Sequence, residues 1–438
     1  MLKIISTPCG KIQGITSKEE GVTDFKGIRY ATAGRWEYPR AVTKWDGIYD
    51  GASYGNCSYQ PRSFYNEEKN PGKIFYYNEF RKGEKYTYDE DCLFLNIRTP
   101  EDATEESKLP VIVYIHGGGF TGGCGHEKHF DGPVWAKKGV ISVTINYRLG
   151  PMGFACLPEL KEEAGHTGNY GLYDQITAIK WVKDNISFFG GDAEKITIMG
   201  QSAGAMSVQH LCQSELTKGL FRSAVMSSGV ALGSFMTGTP EKRYDFWKEV
   251  MEKTGAKNLE EFRKVSPEAL FKAWKSTKGS VMAATPVKDG MLICDGAKPH
   301  EIPYMVGSTS HDMAPAFLHP MTKKWAIKSG AYLWHFERML PGDDKGAWHS
   351  SDLWYWFGTL KNCWRPMEKR DFTISNEMSS YLCSFVKNGN PKTDGLPLWE
   401  KCRNGKTVMC FGDVETKMKK VNMKKLIVTT LTNKPVGE

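Results

Sequence analysis

One short stretch constrains this chain more than any other. The β-branched run Ile196-Thr197-Ile198-Met199 breaks into Gly200-Gln201-Ser202-Ala203-Gly204, and helix-forming residues follow from Ala205. G-x-S-x-G between a strand and a helix sets a serine on a sharp, strained turn, and glycine two residues to either side removes Cβ atoms that would clash there. Ser202 is therefore the candidate nucleophile. A chain with 45 Gly also produces such a pattern by chance, so the weight comes from the strand before the turn and the helix after it.

A second glycine cluster lies upstream. Pro110-Val111-Ile112-Val113-Tyr114-Ile115 reads as a buried strand and runs into His116-Gly117-Gly118-Gly119-Phe120. Three successive glycines leave backbone N–H groups bare, and acyl transfer passes through an oxyanion that fixed donors in a dry site stabilise by about 3 kcal/mol each. Gly118, Gly119 and Ala203, the residue after the serine, are the expected donors. Alone the loop reads equally well as a flexible connection; beside a serine turn the oxyanion reading is favoured.

Further blocks stand in order along the chain: Phe25-Lys26-Gly27-Ile28-Arg29-Tyr30-Ala31, Glu90-Asp91-Cys92-Leu93-Phe94-Leu95-Asn96-Ile97, Asn146-Tyr147-Arg148, Asn169-Tyr170-Gly171-Leu172-Tyr173-Asp174-Gln175 and Gly190-Gly191-Asp192. With the two glycine motifs they resemble the type-B carboxylesterases, relatives of the cholinesterases, over residues 9 to about 230. The resemblance implies an α/β-hydrolase fold: a central, mostly parallel twisted sheet with helices on both faces, an N-terminal β-hairpin region and a reduced helical cap. It implies one catalytic domain over 1–438 with the cap inserted at about 235–285, and it implies carboxylic-ester hydrolysis.

The chain order of that fold, serine then acid then histidine, confines the base to His300, His311, His319, His335 and His349. His335 sits in the alternating, strand-like Ala331-Tyr332-Leu333-Trp334-His335-Phe336. Gly346-Ala347-Trp348-His349-Ser350-Ser351-Asp352-Leu353 resembles the histidine block of the family, so His349 is the expected base. Asp312 ends the stretch Ile302 to Asp312, where a short apolar strand gives way to a polar loop, and it stands where the family usually has Glu. Asp289, Asp295 and Asp352 remain rivals for the acid. Ser202 would attack an ester carbonyl, His349 would take and return its proton, and Asp312 would orient the ring, with no metal or organic cofactor.

Asp312 and His349 are 37 residues apart (349 − 312), where the relatives carry a long helical insert. Helical stretches are expected instead from Glu241 to Lys253 and from Pro267 to Lys275, the first closed by Gly255 and the second opened by Ser266-Pro267. A shortened insert implies an open pocket. Aromatic residues crowd the histidine: Trp348, Trp354, Tyr355, Trp356, Phe357 and Trp364. Most of these are expected in the core, with Trp348 and, beside the glycine loop, Phe120 as candidate substrate-binding residues for small to medium, uncharged, partly apolar esters. A lipase or thioesterase of the same fold is the nearer alternative; a catalytically silent binding protein is the farther one, because the serine, histidine and carboxylate are all present.

Composition narrows the rest. A formal charge of +8 comes from 58 Lys and Arg scattered among 50 Asp and Glu. The only cluster, Lys417, Lys419, Lys420, Lys424 and Lys425, reads as a solvated helix face and strand, so no nucleic-acid partner is expected. The longest clear apolar run is Val111 to Ile115, far short of the roughly 18 residues of a membrane span. No signal-peptide core follows Met1, so the expectation is a cytoplasmic protein with its 11 Cys reduced. Cys57 and Cys92 fall where secreted relatives often carry a disulfide, and Cys124 reads as a small packing residue. His126-Glu127-Lys128-His129 does not have the H-E-x-x-H spacing, and no metal site is expected from it.

Overall fold

Alternate residues of one central strand face opposite layers. Val111, Val113 and Ile115 belong to one hydrophobic cluster and Ile112 and Tyr114 to another. A strand buried on both faces needs elements packed on both sides, which a hydrophobic run with a two-residue side-chain period dictates. The same division recurs in neighbouring strands, where Ile196 and Ile198 face one way and Met199 the other, and Ala224 and Met226 oppose Val225.

The computed structural model describes residues 2–17, 21–403, 405 and 407–432. Its main sheet runs through β1 (Leu2–Thr7), β2 (Gly10–Ser17), β3 (Val22–Arg29), β4 (Phe94–Pro100), β5 (Leu109–Ile115), β6 (Ile141–Ile145), β7 (Gly191–Gln201), β8 (Ser223–Ser227), β9 (Tyr304–Thr309), β10 (Tyr332–Phe336), β11 (Val408–Phe411) and β12 (Thr416–Lys419). The spatial order is β1-β2-β3-β4-β6-β5-β7-β8-β9-β10-β11-β12, with Ile48–Asp50 added beside β2. From β6 to β11 every pairing is parallel; β1 to β4 and the β11–β12 edge are antiparallel. Helices α1 (Tyr170–Asn185) and α2 (Ala203–Leu211) pack into the first cluster, and α6 (Lys369–Asn388) into the second. Between α2 and α6 in the chain lie α3 (Glu241–Thr254), α4 (Leu259–Lys264) and α5 (Pro267–Ser276), which bury Trp247, Val250, Phe262, Leu270, Phe271 and Trp274 in the first cluster.

The expected helices at 241 and 267 are present, each one residue longer than the sequence suggested. Gly255 closes α3 in the left-handed conformation (φ 82°), and Ser266 caps α5 by accepting from the Ala269 N–H at 3.3 Å. Helix α4 lies beyond what the sequence pattern predicts, because six residues give periodicity too little length; its cue is Asn258 with Glu261 three residues on, the Asn258 side chain accepting the Glu261 N–H at 2.9 Å. Lys417 and Lys419 lie on β12, where Lys419 pairs with Glu337 at 2.5 Å.

Topology positions the site. The chain leaves β5 toward β6 on one side, but leaves β7 toward β8 on the other, so the winding reverses between the adjacent strands β5 and β7. Such a switch point opens a crevice at the carboxyl ends of the strands, where loops diverge to opposite faces. Ile115 stands opposite Gly200 in register, which brings the glycine loop after β5 against the serine turn after β7.

A buried ion pair ties two of the sequence blocks together. Asp174 on α1 accepts from Arg148 through its backbone N (3.0 Å), Nε (2.9 Å) and Nη2 (2.7 Å), with the carboxylate fully buried. Removing one partner leaves an uncompensated charge in the core, so Asp174→Ala is expected to lower unfolding free energy by about 3–5 kcal/mol. Urea unfolding of the variant beside wild type measures this; a change below about 1 kcal/mol would show that the pair is not structural.

Candidate active site

Ser202 lies between β7 and α2 with φ 55° and ψ −125°, a left-handed backbone costly for a residue with a Cβ. Its N–H donates to the Ser227 carbonyl at 2.9 Å and its own carbonyl accepts from Met206 at 3.0 Å, so the turn is pinned at both ends. The glycines are sterically required. A Cβ on Gly200 would lie 2.3 Å from the Gly204 carbonyl oxygen, and one on Gly204 would lie 2.1 Å from that of Ile115. The Ser202 side chain is half-buried and its hydroxyl has no hydrogen-bond partner among the described residues.

The glycine loop lies directly on this turn, since a Cβ on Gly117 would sit 3.1 Å from that of Ser202. The Gly118 carbonyl accepts from Thr121 (3.1 Å) and Gly122 (3.0 Å), and the Gln60 amide brackets Gly123 by donating to its carbonyl (3.1 Å) and accepting from its N–H (3.0 Å). The Gly118, Gly119 and Ala203 N–H groups have no partner among the described residues, which leaves three donors beside the serine. Phe120 follows with φ 61°, its ring against Phe154 at 5.2 Å and its carbonyl accepting from Gly150 at 2.7 Å.

Of the candidate acids, only Asp312 meets His349 among the described residues. His349 Nδ1 lies 2.5 Å from Asp312 Oδ1, with both residues buried. The carboxylate also accepts from Met313 N–H on Oδ1 (2.9 Å) and from Ser228 Oγ (2.5 Å) and Thr309 N–H (3.1 Å) on Oδ2. Burial opposes ionisation of both groups. The imidazole and these donors nevertheless hold the Asp312 pKa below its ordinary value, and the Asp312 carboxylate raises that of His349. The other acids are engaged elsewhere: Asp289 accepts from Tyr173 Oη (3.1 Å) and from loop N–H groups, Asp295 pairs with Lys288 on the surface (2.5 Å), and Asp352 accepts from Ser227 Oγ (2.7 Å) and Trp356 Nε1 (3.1 Å). Among the other histidines, His300 meets the Ser214 carbonyl (3.0 Å), His311 meets Ser310 Oγ (3.0 Å), and the His319 and His335 rings pack on each other.

Two residues that the motifs did not single out complete the cluster. Gln201, the last residue of β7, is buried and its Nε2 donates to His349 Nε2 at 3.1 Å. That leaves the histidine proton on Nδ1, facing Asp312. The cue was present in the sequence: a polar side chain at the buried end of a strand must find a partner. Ser228, which steadies Asp312, carries no such cue. Trp348 and Phe120 are each 1% exposed, and the Trp348 ring packs edge-on against Phe75 at 5.1 Å. Trp354, Tyr355, Trp356 and Phe357 are core residues, whereas Trp364 is exposed. All eleven cysteines are thiols, and Cys57 turns toward His126.

Asp352 has a consequence for stability. Burial, reinforced by the nearby Asp312 charge against the Ser227 hydrogen bond, raises its pKa from 3.8 to about 6. The folded state therefore holds this proton more tightly than the unfolded chain, so the associated stability is present in acid and lost as pH rises from about 4 to about 6. Asp352→Asn is expected to escape a loss on the order of 3 kcal/mol that wild type suffers between those limits. Denaturant titrations of both proteins at acid and neutral pH test this; parallel stability profiles would refute it.

The comparisons with known proteins agree with this architecture. The profile of the Carboxylesterase family matches residues 2–329 and 316–427. Para-nitrobenzyl esterase of Bacillus subtilis (strain 168) is 38% identical over 278 residues, 62% of this chain and 52% of that protein. Fumonisin B1 esterase of Sphingopyxis macrogoltabida is 32% identical over 359 residues, 78% and 61% respectively. The chain thus spans about half to three fifths of the length of these curated relatives. Among solved structures, a PNB esterase superposes with a TM-score of 0.80 at 25% identity, covering 98% of this chain and 99% of the other. An esterase from Clostridium hathewayi, described as hydrolysing aliphatic aromatic polyesters, gives 0.81 at 25% identity over 98% of both. Among the described residues no helix is long and apolar enough to cross a membrane. The fold is that of the α/β-hydrolases, and the chain belongs to the carboxylesterase family.

Proposed function

We propose that this protein hydrolyses carboxylic esters through an acyl-enzyme on Ser202, in one catalytic domain whose helices α3 to α5 form a reduced cap. The observation that carries this reading is the 2.5 Å contact of His349 Nδ1 with Asp312 beside the strained serine turn. In the first step His349 Nε2 takes the Ser202 proton as Oγ adds to the carbonyl carbon, and the oxyanion is held by the N–H groups of Gly118, Gly119 and Ala203. His349 then donates that proton to the departing alcohol. Water, activated by the same nitrogen, releases the acid and restores the serine. Attack requires Nε2 to exchange its hydrogen bond from Gln201 to Ser202, a tightening that substrate binding brings in many hydrolases.

The relatives named above are a para-nitrobenzyl esterase, a fumonisin B1 esterase and an esterase described as hydrolysing aliphatic aromatic polyesters; for this chain the reading is small to medium, uncharged, partly apolar esters. A p-nitrophenyl acyl series from acetate to palmitate tests both parts. Highest kcat/KM is expected on short to medium chains, with an acid limb above the ordinary imidazole pKa of about 6.5, because catalysis needs neutral His349 and its pKa is raised. An optimum at palmitate would favour the lipase reading, and no turnover of any ester by folded protein would refute hydrolysis.

A further inference from the structure

Three side chains outside this site converge in a way the reaction does not use. Cys57 lies on the short ladder Cys57–Ser58 with Tyr88–Asp89, Cys124 follows the glycine loop at Gly123, and His126 comes two residues later. Their Sγ, Sγ and imidazole nitrogen atoms all lie within 4.8 Å of one another, with His126 Nε2 3.6 Å from Cys57 Sγ. Both thiols are buried and His126 is half-buried. We propose that Cys57, Cys124 and His126 form a binding site for a soft, tetrahedral metal ion of the zinc class.

Geometry and chemistry both suit such an ion. Zinc binds thiolate sulfur at about 2.3 Å and imidazole nitrogen at about 2.0 Å, which sets neighbouring tetrahedral ligands roughly 3.5–3.8 Å apart. The Cys57–His126 separation already has that value, and rotation of the Cys124 side chain closes the rest. Two sulfurs and one imidazole select zinc or copper(I) over magnesium or calcium, which take oxygen. His126 Nε2 is the ring nitrogen that faces Cys57, and the buried Nδ1 of His126 has no hydrogen-bond partner among the described residues. Its ring is held flat against Tyr54 at 4.6 Å.

The surrounding charges are balanced. Arg62 Nη2 lies 3.8 Å from Cys124 Sγ, while Arg62 Nη1 is paired with Glu127 at 2.7 Å and Glu127 also faces Arg81 at 3.5 Å. On binding, both S–H bonds break, two protons pass to solvent, two metal–sulfur bonds and one metal–nitrogen bond form, and no electron is transferred. A divalent ion with two thiolates is then neutral. A partly open cavity lined by Tyr54, Asn96, Arg98 and Asp131 reaches His126. The fourth position would be left to water, and the bound ion would clamp the glycine loop to the Cys57 strand.

The test uses reduced, metal-stripped, full-length protein titrated with zinc chloride against a chromophoric chelator, and with cobalt chloride under an absorption spectrum. One equivalent is expected to bind, the cobalt form showing thiolate-to-metal charge transfer and intense tetrahedral bands. Cys57→Ser and Cys124→Ser are each expected to weaken zinc binding by at least about 100-fold, since even outer-shell changes cost 10–100-fold, while Cys294→Ser, at an exposed cysteine, leaves it unchanged. The cobalt spectrum of wild type decides the matter even if a variant fails to fold. Absence of stoichiometric binding, a cobalt spectrum without sulfur bands, or affinity unaltered in the folded cysteine variants would overturn the site. So would mass spectrometry showing a Cys57–Cys124 disulfide in protein whose reduced form binds no metal.

Discussion

Ser202→Ala is expected to abolish turnover of p-nitrophenyl esters, lowering kcat by about 10⁶, because the proposed triad would lose its nucleophile and such groups act as a unit. A residual rate of about 10³–10⁴ over water would remain, because bound substrate still meets the amides of the glycine loop. The fold should be unaffected. The Ser202 hydroxyl has no partner among the described residues, and alanine accepts the same φ of 55° at the same cost. Thermal midpoint and circular dichroism therefore serve as controls, and a folded variant that retains more than a hundredth of wild-type kcat would place the nucleophile elsewhere.

Asp312→Asn should come next in size, with a loss of about 10⁴ in kcat and little change in KM, as expected when the orienting carboxylate becomes an amide of the same shape. The reason is the proton on the imidazole. In the wild type, Asp312 accepts from Nδ1 and leaves the Nε2 lone pair facing Gln201 and, in the proposed reaction, Ser202. An asparagine keeps the hydrogen bonds from Ser228 and Thr309 on its oxygen and turns its NH₂ to the ring. The proton then moves to Nε2, which can no longer accept from the serine and opposes the Gln201 amide donor to donor. Stopped-flow acylation rates measure this step directly. Asp352→Asn is the control, since Asp352 binds Ser227 and Trp356 instead; an equal kcat loss in that variant alone would make Asp352 the orienting acid.

How much of this was legible in the sequence depends on the range of the physical cue. The serine turn could be read because strand, glycines and helix are contiguous, and β7 followed by α2 stands where Ile196 to Ala205 required. His349 and Asp312 were reached by family pattern and by the apolar strand that ends at Thr309. Their contact could not be derived from spacing, because it depends on where two loops leave β9 and β10. Trp348 shows the converse limit: its ring lies among Phe75, Tyr76 and Phe80 in the second core cluster, contacts that adjacency to His349 in the chain does not reveal. In the sequence, the candidate co-ligands beside His126 are Glu127 and His129, its neighbours in the chain. The thiol it meets is 69 residues away, brought there by a two-residue ladder with no periodic signature.

The most direct test of the central claim is the mass of the protein after brief exposure to a fluorophosphonate, followed by peptide mapping. These reagents trap a serine activated by its own histidine. The account predicts a single adduct on the peptide containing Ser202, formed in step with loss of esterase activity and absent from Ser202→Ala. Folded, active protein that takes up no adduct, or carries it on another residue, would contradict it.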